Sequence, residues 1–287
     1  MILKDKTALI TGGSRGIGKA VARAFLREGA RVMLAAYSSE EELAKTAAEL
    51  QEEFKKDTPT VYYSRCDVSD PIAVKRLIKR TQEVFLSEKI DIVVNAAGIY
   101  GPIGLSHEIS LDEWRRTYEV NVFGTFIVVQ EVVPCMIKNG GGKIINFSGG
   151  GDGPLPRFSA YNSSKVAVVR LTETLAEELK QWNIAVNAIA PGAVNTKFLD
   201  QALEAGEEKV GKKRYQELLK QKTEGGTPPE KTADLCVFLA SSKSDGLTGK
   251  FLSAVWDHWY EWDEAKIKEI MSTSAFTIRR VDPYRKN

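Results

Sequence analysis

Seven short apolar runs, separated by longer amphipathic stretches, constrain this chain more than any other feature. They are TALIT (7–11), RVMLAA (31–36), VYYSRC (61–66), DIVVN (91–95), KIINFS (143–148), IAVNAIA (184–190) and KFLSAV (250–255). Helical patterns are predicted to begin near 15, 39, 71, 111, 157 and 228. Nearly all the runs are apolar on both faces, as a strand must be when helices cover both sides of a parallel sheet. Alternation of this regularity predicts a single α/β domain: a doubly wound, parallel, seven-stranded sheet with helices on both faces. With 287 residues, 43% of them hydrophobic, the chain has enough apolar material for one such core. No internal repeat or low-complexity linker divides it.

Two stretches break the rhythm. Residues 193–226 are long, charged and helix-prone, and a connection of that length in a compact domain is usually a lid or a binding segment. Residues 256–287 follow the last run and are expected to form an aromatic helix and a polar tail. The predicted organisation is therefore a dinucleotide-binding and catalytic domain over 1–255, containing the lid, and a C-terminal extension over 256–287.

The first loop supplies the chemistry. Gly12, Ser14, Arg15, Gly16, Ile17 and Gly18 lie between a predicted strand and a predicted helix. Glycines there let the backbone turn sharply and approach a pyrophosphate, while the helix N-terminus presents free N–H groups to the anion. Strand before and helix after are the context a dinucleotide site requires, and make the sheet Rossmann-type. The spacing is G-x-x-x-G-x-G, not the commoner G-x-G-x-x-G. An NAD site usually places an acid at the end of the second strand to bind the ribose 2′-hydroxyl. Ala36 stands there instead, followed by Tyr37 and Ser38, so nothing at that position repels a 2′-phosphate. Arg15 either supplies the matching positive charge or is an exposed helix-start arginine; with Ala36 it favours NADP(H) over NAD(H).

Tyr161 and Lys165 stand at i and i+4 of a predicted helix and share one face. A phenol normally holds its proton too tightly to act as a base near neutrality. A lysine cation beside it favours the ionised form and makes proton exchange possible.

The linked motifs Thr11-Gly12-x-x-x-Gly16-x-Gly18, Asn95-Ala96-Ala97-Gly98, Ser148 and Tyr161-x-x-x-Lys165 resemble the short-chain dehydrogenase/reductase family over roughly residues 4 to 255. The resemblance implies that Tyr161 exchanges a proton with the substrate oxygen and that Ser148 polarises the carbonyl. It implies that Lys165 holds the nicotinamide ribose and tunes Tyr161, and that Asn121 holds a water passing protons to Lys165. By the same resemblance Asp67, with Val68, meets the adenine, and Asn95 to Gly98 pass under the cofactor. Pro191 and Gly192, with Val194 and Thr196, meet the nicotinamide. Asp67 also reads as a turn former, and Thr196 equally as a helix cap.

Other features bound the reading. Forty Lys+Arg against thirty-eight Asp+Glu gives no nucleic-acid surface. Cys66, Cys135 and Cys236 are read as buried thiols without a disulfide framework, and His107 and His258 have no metal-ligand spacing. No apolar run approaches the ~20 residues of a membrane helix, and no targeting peptide is visible, so a cytoplasmic protein is expected. The expected reaction is hydride transfer between NADP(H) and a small-molecule or carrier-bound carbonyl, a keto-sugar or a 3-oxoacyl thioester; a non-catalytic NADP(H)-binding sensor or scaffold is the alternative. Lys212-Lys213-Arg214 reads as a solvated helix face or as the seat of an anionic substrate handle. Gly149-Gly150-Gly151-Asp152-Gly153 reads as an open pocket wall or as a flexible loop. Trp256, Trp259 and Trp262 are expected along one side of a helix, at a subunit interface or as a stacking platform. Apolar helices at 111–138 and 157–181 suggest more than one partner, and the family resemblance implies a homotetramer or homodimer built across them.

Overall fold

The structure, a computed structural model, describes residues 1–54, 60–149 and 153–279. Gly150, Gly151 and Asp152 of the glycine-rich stretch and the end of the C-terminal tail lie outside the described residues. Seven strands form one sheet: β1 (Thr7–Thr11), β2 (Arg31–Ala36), β3 (Val61–Arg65), β4 (Ile92–Asn95), β5 (Gly142–Phe147), β6 (Ile184–Ala190) and β7 (Phe251–Ser253). Every pairing is parallel, and the order is β3-β2-β1-β4-β5-β6-β7. The chain changes direction between β1 and β4, and at such a switch point the loops after neighbouring strands diverge and open a crevice for a ligand.

Side-chain alternation along the strands divides the core into two layers. Ala8 and Ile10, Val32 and Leu34, and Ile92 and Val94 point into one layer, covered by α1 (Gly16–Arg27), α2 (Glu40–Glu53) and α9 (Pro229–Ala240). Leu9, Met33, Val93 and Ile144 point into the other, covered by α3 (Pro71–Val84), α5 (Gly124–Lys138) and α6 (Ser159–Leu179). Each of these strand residues is at most 1% exposed. This is the two-faced burial that the unbroken apolar runs demand.

Four expectations need correction. Helix α4 (Leu111–Tyr118), a π-helical turn (Glu119–Phe123) and α5 run on as one 28-residue helical stretch, within which an 18-residue window of mean hydropathy 1.7 is apolar enough to cross a membrane by length and composition. Gly124, Thr125, Gln130 and Pro134 interrupt the apolar run and hide this length in the sequence. Val128, Val129, Val132 and Met136 of the stretch are buried in the second core layer. Among the cysteines, Cys66 and Cys236 are buried, but Cys135 is only partly so and bonds to the Glu88 carbonyl at 2.8 Å.

The tryptophan row does not share one helix face. Trp256 is 81% exposed in a turn, Trp259 opens a 3-10 turn (Trp259–Glu261), and the only regular helix described beyond β7 is α10 (Glu264–Met271). Trp259 and Trp262 fold back on Phe238 of α9, with ring centroids 5.6 and 6.4 Å away. Lys250, 4% exposed, donates to the carbonyls of Ile270, Thr273 and Ala275, tying the extension to the strand edge. The extension is therefore part of the core.

The stretch 193–226 folds as α7 (Lys197–Val210), interrupted at Gly206, and α8 (Lys212–Glu224). Leu199, Ala202, Val210 and Leu218 from these helices pack with Phe158, Tyr100 and Tyr161 in a third apolar cluster over the ends of the strands.

Candidate active site

The glycine turn follows β1 directly. Gly12 has φ +68°, and a Cβ there would stand 2.8 Å from the backbone of Ala96 and Ala97. A Cβ on Gly18 would stand 2.2 Å from the Gly12 carbonyl oxygen. Only glycine permits this turn and this approach of helix to loop. Helix α1 begins without a side-chain cap, so its first amides remain available to an anion. Ser14 is 5% exposed and its carbonyl accepts from Thr46, while Ile17 packs on the core. Asn95, at the end of β4, donates to Asn146, and its own Oδ1 is buried without a partner among the described residues. Ala97 N donates to Thr11 Oγ1 at 3.3 Å, fixing the loop beside β1. A cradle of this shape, with free helix amides and an orphaned acceptor, fits a dinucleotide.

Thr196 is a helix cap that also faces the glycine turn. Its hydroxyl accepts from Phe198 N at 3.3 Å and caps α7, and its methyl would be 3.4 Å from a Cβ on Gly16 across the turn. Pro191 and Gly192 close β6; Gly192 has φ +81°, and a Cβ there would press on Val255 and Thr227. Val194 is 9% exposed. Asp67 does two jobs: one carboxylate oxygen accepts from Ser69 N and Oγ, the other pairs with Arg116 at 2.6 Å. Burial alone would raise its carboxyl, but the Ser69 hydrogen bonds and the Arg116 charge outweigh that and hold it below the ordinary range. Val68 packs where Gly124 admits it, since a Cβ there would lie 2.6 Å from its methyl.

The catalytic candidates converge at the C-terminal end of β5. Helix α6 places Tyr161 and Lys165 one turn apart, and the Lys165 ammonium lies 5.8 Å from the Tyr161 ring centre. Lys165 is 4% exposed and donates to the Phe147 carbonyl at 2.9 Å; burial pulls its ammonium down to about 8. Ser148 Oγ donates to the Lys165 carbonyl at 3.1 Å, so strand end and helix are tied together at the site. Gly149 has φ +151°, and a Cβ there would be 2.7 Å from the Tyr161 hydroxyl. In this state burial, with Tyr100 adding to it, pushes the Tyr161 phenol above its ordinary value. With both effects raising it, Tyr161 holds its proton as an acid would.

Asn121 sits in the π turn, fully buried, rather than in the regular helix its sequence suggests. Such turns re-aim backbone groups and are frequent at functional sites. Its amide bonds both backbone groups of Ile99 and donates to Ser164 Oγ, each at 2.9 Å. A Cβ on Gly98 would lie 3.2 Å from Asn121 Oδ1 and 3.3 Å from Lys165 Nζ, which places the asparagine close to the lysine.

Several site residues escape sequence reasoning. Tyr100 packs edge-on to Tyr161 at 4.7 Å and against Phe198 of α7 at 4.5 Å, and Phe158 completes the aromatic wall. Nothing in the local sequence marks these rings. Asn146 bridges Asn95 and Thr172, and a polar residue in an otherwise buried strand was the signal for it. In the basic run, Lys212 and Lys213 are exposed, whereas Arg214 Nε is buried without a partner among the described residues. Its charge is close enough to Tyr100 to oppose the rise that burial imposes on that phenol. Arg15 does not stand free: its Nη1 lies 3.1 Å from both oxygens of Glu42.

The chain matches the family model of short chain dehydrogenases over residues 6–207. It is 34% identical over 249 residues to dehydrogenase/reductase SDR family member 4 of Sus scrofa, covering 86% of this chain and 85% of the relative. Among solved structures, NAD+-bound xylitol dehydrogenase superposes with a TM-score of 0.78 at 30% identity, covering 88% of this chain and 98% of that one. Levodione reductase superposes with a TM-score of 0.79 at 27% identity, covering 90% and 99%. With the glycine cradle and the Ser148, Tyr161 and Lys165 cluster in place, the chain belongs to the short-chain dehydrogenase/reductase family and is an oxidoreductase acting on CH–OH and carbonyl groups.

Proposed function

We propose that the protein is an NADP(H)-dependent carbonyl reductase whose substrate carries a phosphate-bearing handle, as a keto-sugar nucleotide or a carrier-bound 3-oxoacyl thioester does. The observation that carries the reaction is the Tyr161 hydroxyl, pressed against Gly149 beside Ser148 and within a helical turn of Lys165. A protonated phenol donates to the carbonyl oxygen as reduction proceeds. Ser148, its hydroxyl free to turn from the Lys165 carbonyl, holds that oxygen in place. Lys165 compensates the charge left on the phenolate, and Asn121 fixes the loop at Ile99 against which the lysine rests. The nicotinamide, when bound, supplies the hydride. Gly12, Gly16, Gly18 and the α1 amides hold its pyrophosphate.

The handle is inferred from the lid. Tyr100, Phe158 and Phe198 offer flat apolar faces, and Arg214, whose Nη1 pairs with Glu217, keeps a buried Nε without a partner among the described residues, with its charge near Tyr100. Structures titled xylitol dehydrogenase and levodione reductase share this fold, so the fold does not set the substrate, and the side chains over the site must. The absence of an acid at Ala36 supports NADP(H). Exposed Leu111, Phe123, Phe126 and Ile137 along the 28-residue stretch support a homotetramer assembled across it. A panel of ketones, keto-sugar nucleotides and 3-oxoacyl thioesters, followed by nicotinamide absorbance with NADPH and NADH, tests the reading. Tyr161→Phe should keep NADPH binding and lose about 10²–10⁴-fold in turnover. Undiminished turnover in that variant sinks the mechanism; activity confined to uncharged ketones sinks the handle.

A further inference from the structure

The geometry points to Arg65, at the end of β3, as the cation that receives the adenosine 2′-phosphate, with Tyr37 as its platform. This deepens the NADP(H) reading and rests on it. Arg15 is the arginine that the glycine turn offers, but both Glu42 oxygens hold it at 3.1 Å, and Glu42 is itself fixed because its amide caps onto Ser39. A phosphate at Arg15 would share the guanidinium with a carboxylate already bonded to its Nη1. Arg65 is differently situated. It is the register partner of Ala36 in the adjacent parallel strand. Tyr63 and Val61, two and four residues earlier, pack in the same core layer as Ala36, so strand alternation turns Arg65 toward the same face of the sheet.

Its guanidinium stands 4.9 Å over the Tyr37 ring, the residue that follows the position where an NAD site keeps its acid. Among the described residues Arg65 makes no ion pair, in contrast to Arg15, Arg23 and Arg27 of α1. Stacking holds the guanidinium plane while leaving its edge, and so its paired N–H groups, open to a bidentate acceptor. A second observation points to a ligand at the same corner: Ser38 Oγ is buried and has no hydrogen-bond partner among the described residues. An exposed, stacked, unpaired arginine and an unused hydroxyl, flanking an alanine, match the donors a phosphate monoester takes. A 2′-hydroxyl, uncharged and single, would use neither fully.

The test is binding, read apart from turnover. Protein fluorescence titrations with NADPH, NADH and adenosine 2′,5′-bisphosphate are run on the wild type, Arg65→Ala, Arg65→Lys and Arg15→Ala. Arg65→Ala should weaken NADPH and the bisphosphate about 10- to 100-fold, the worth of a charged hydrogen-bonded contact, and leave NADH nearly unchanged. Arg65→Lys should recover only part, because an ammonium neither stacks nor bonds in pairs. Arg15→Ala should cost less than Arg65→Ala. Equal losses for NADPH and NADH in Arg65→Ala, or a larger selective loss in Arg15→Ala, overturn the assignment while NADP(H) preference stands. A wild type that binds NADH as tightly as NADPH and ignores the bisphosphate overturns the NADP(H) reading itself, and the assignment with it.

Discussion

Replacing Lys165 by methionine separates what this ammonium contributes to catalysis from what it costs the fold. The side chain is 4% exposed, and burial lowers its ammonium from 10.5 to about 8. At ~1.4 kcal/mol per pKa unit, keeping it charged in the folded protein at pH 7 costs about 3 kcal/mol. Methionine fills similar space without charge. It forfeits the charged hydrogen bond to the Phe147 carbonyl, worth about 1.5–3 kcal/mol, so a net gain of at most about 1.5 kcal/mol at pH 7 is expected. The sign follows from linkage. The folded value lies below the unfolded one, so between about 8 and 10.5 the unfolded chain binds more protons and wild-type stability rises with pH relative to the variant. By pH 10 the wild type should have gained about 2 kcal/mol relative to the variant. Chemical denaturation of both proteins at pH 7 and pH 10, at one protein concentration, reads this as a difference of differences in which other titrating groups cancel. Turnover should meanwhile fall at least about 10²-fold. A stability difference that does not change between pH 7 and pH 10 refutes the buried-charge argument, and intact turnover refutes the catalytic one.

Three further outcomes are expected. Gly149→Ala places a methyl 2.7 Å from the Tyr161 hydroxyl and should cut kcat on the order of 10²-fold with little change in NADPH affinity, checked by steady-state kinetics and cofactor titration. Ala36→Asp puts a carboxylate beside Arg65 and should move the NADPH-to-NADH affinity ratio at least about tenfold toward NADH; an unchanged ratio means that this corner does not meet the ribose. Truncation after Val255 removes Trp259, Trp262, Ile267 and Ile270 from the core and strips Lys250 of its three acceptors, so it should lower Tm by roughly 10 °C or more rather than merely change assembly, with wild-type melting as the refuting result.

The sheet was legible in the sequence because its signal is local. A strand covered on both faces must be apolar throughout, and the seven runs coincide with the seven strands to within a few residues. The glycine turn was legible for a similar reason: Gly12 and Gly18 meet steric demands from backbone only a few residues or one strand away, and no other residue type satisfies them. Tyr161 and Lys165 were marked by their i, i+4 spacing together with the linked motifs that resemble the short-chain dehydrogenase/reductase family. What the sequence could not contain is which of several equivalent groups finds a partner. Arg15 and Arg65 are both arginines near the second strand, and only folding shows that Glu42 from α2 holds the first while Tyr37 carries the second. Tyr100, Phe158 and Phe198 lie far apart in the chain and form one wall only because α7 lies over the strand ends. The tryptophan spacing invited a helix face, but Phe238 of α9 took Trp259 and Trp262 into the core instead. Local patterns specify elements because hydrogen bonding and burial act within a few residues. Pairings across the molecule depend on which surfaces the packed elements bring together, and that is decided only in three dimensions.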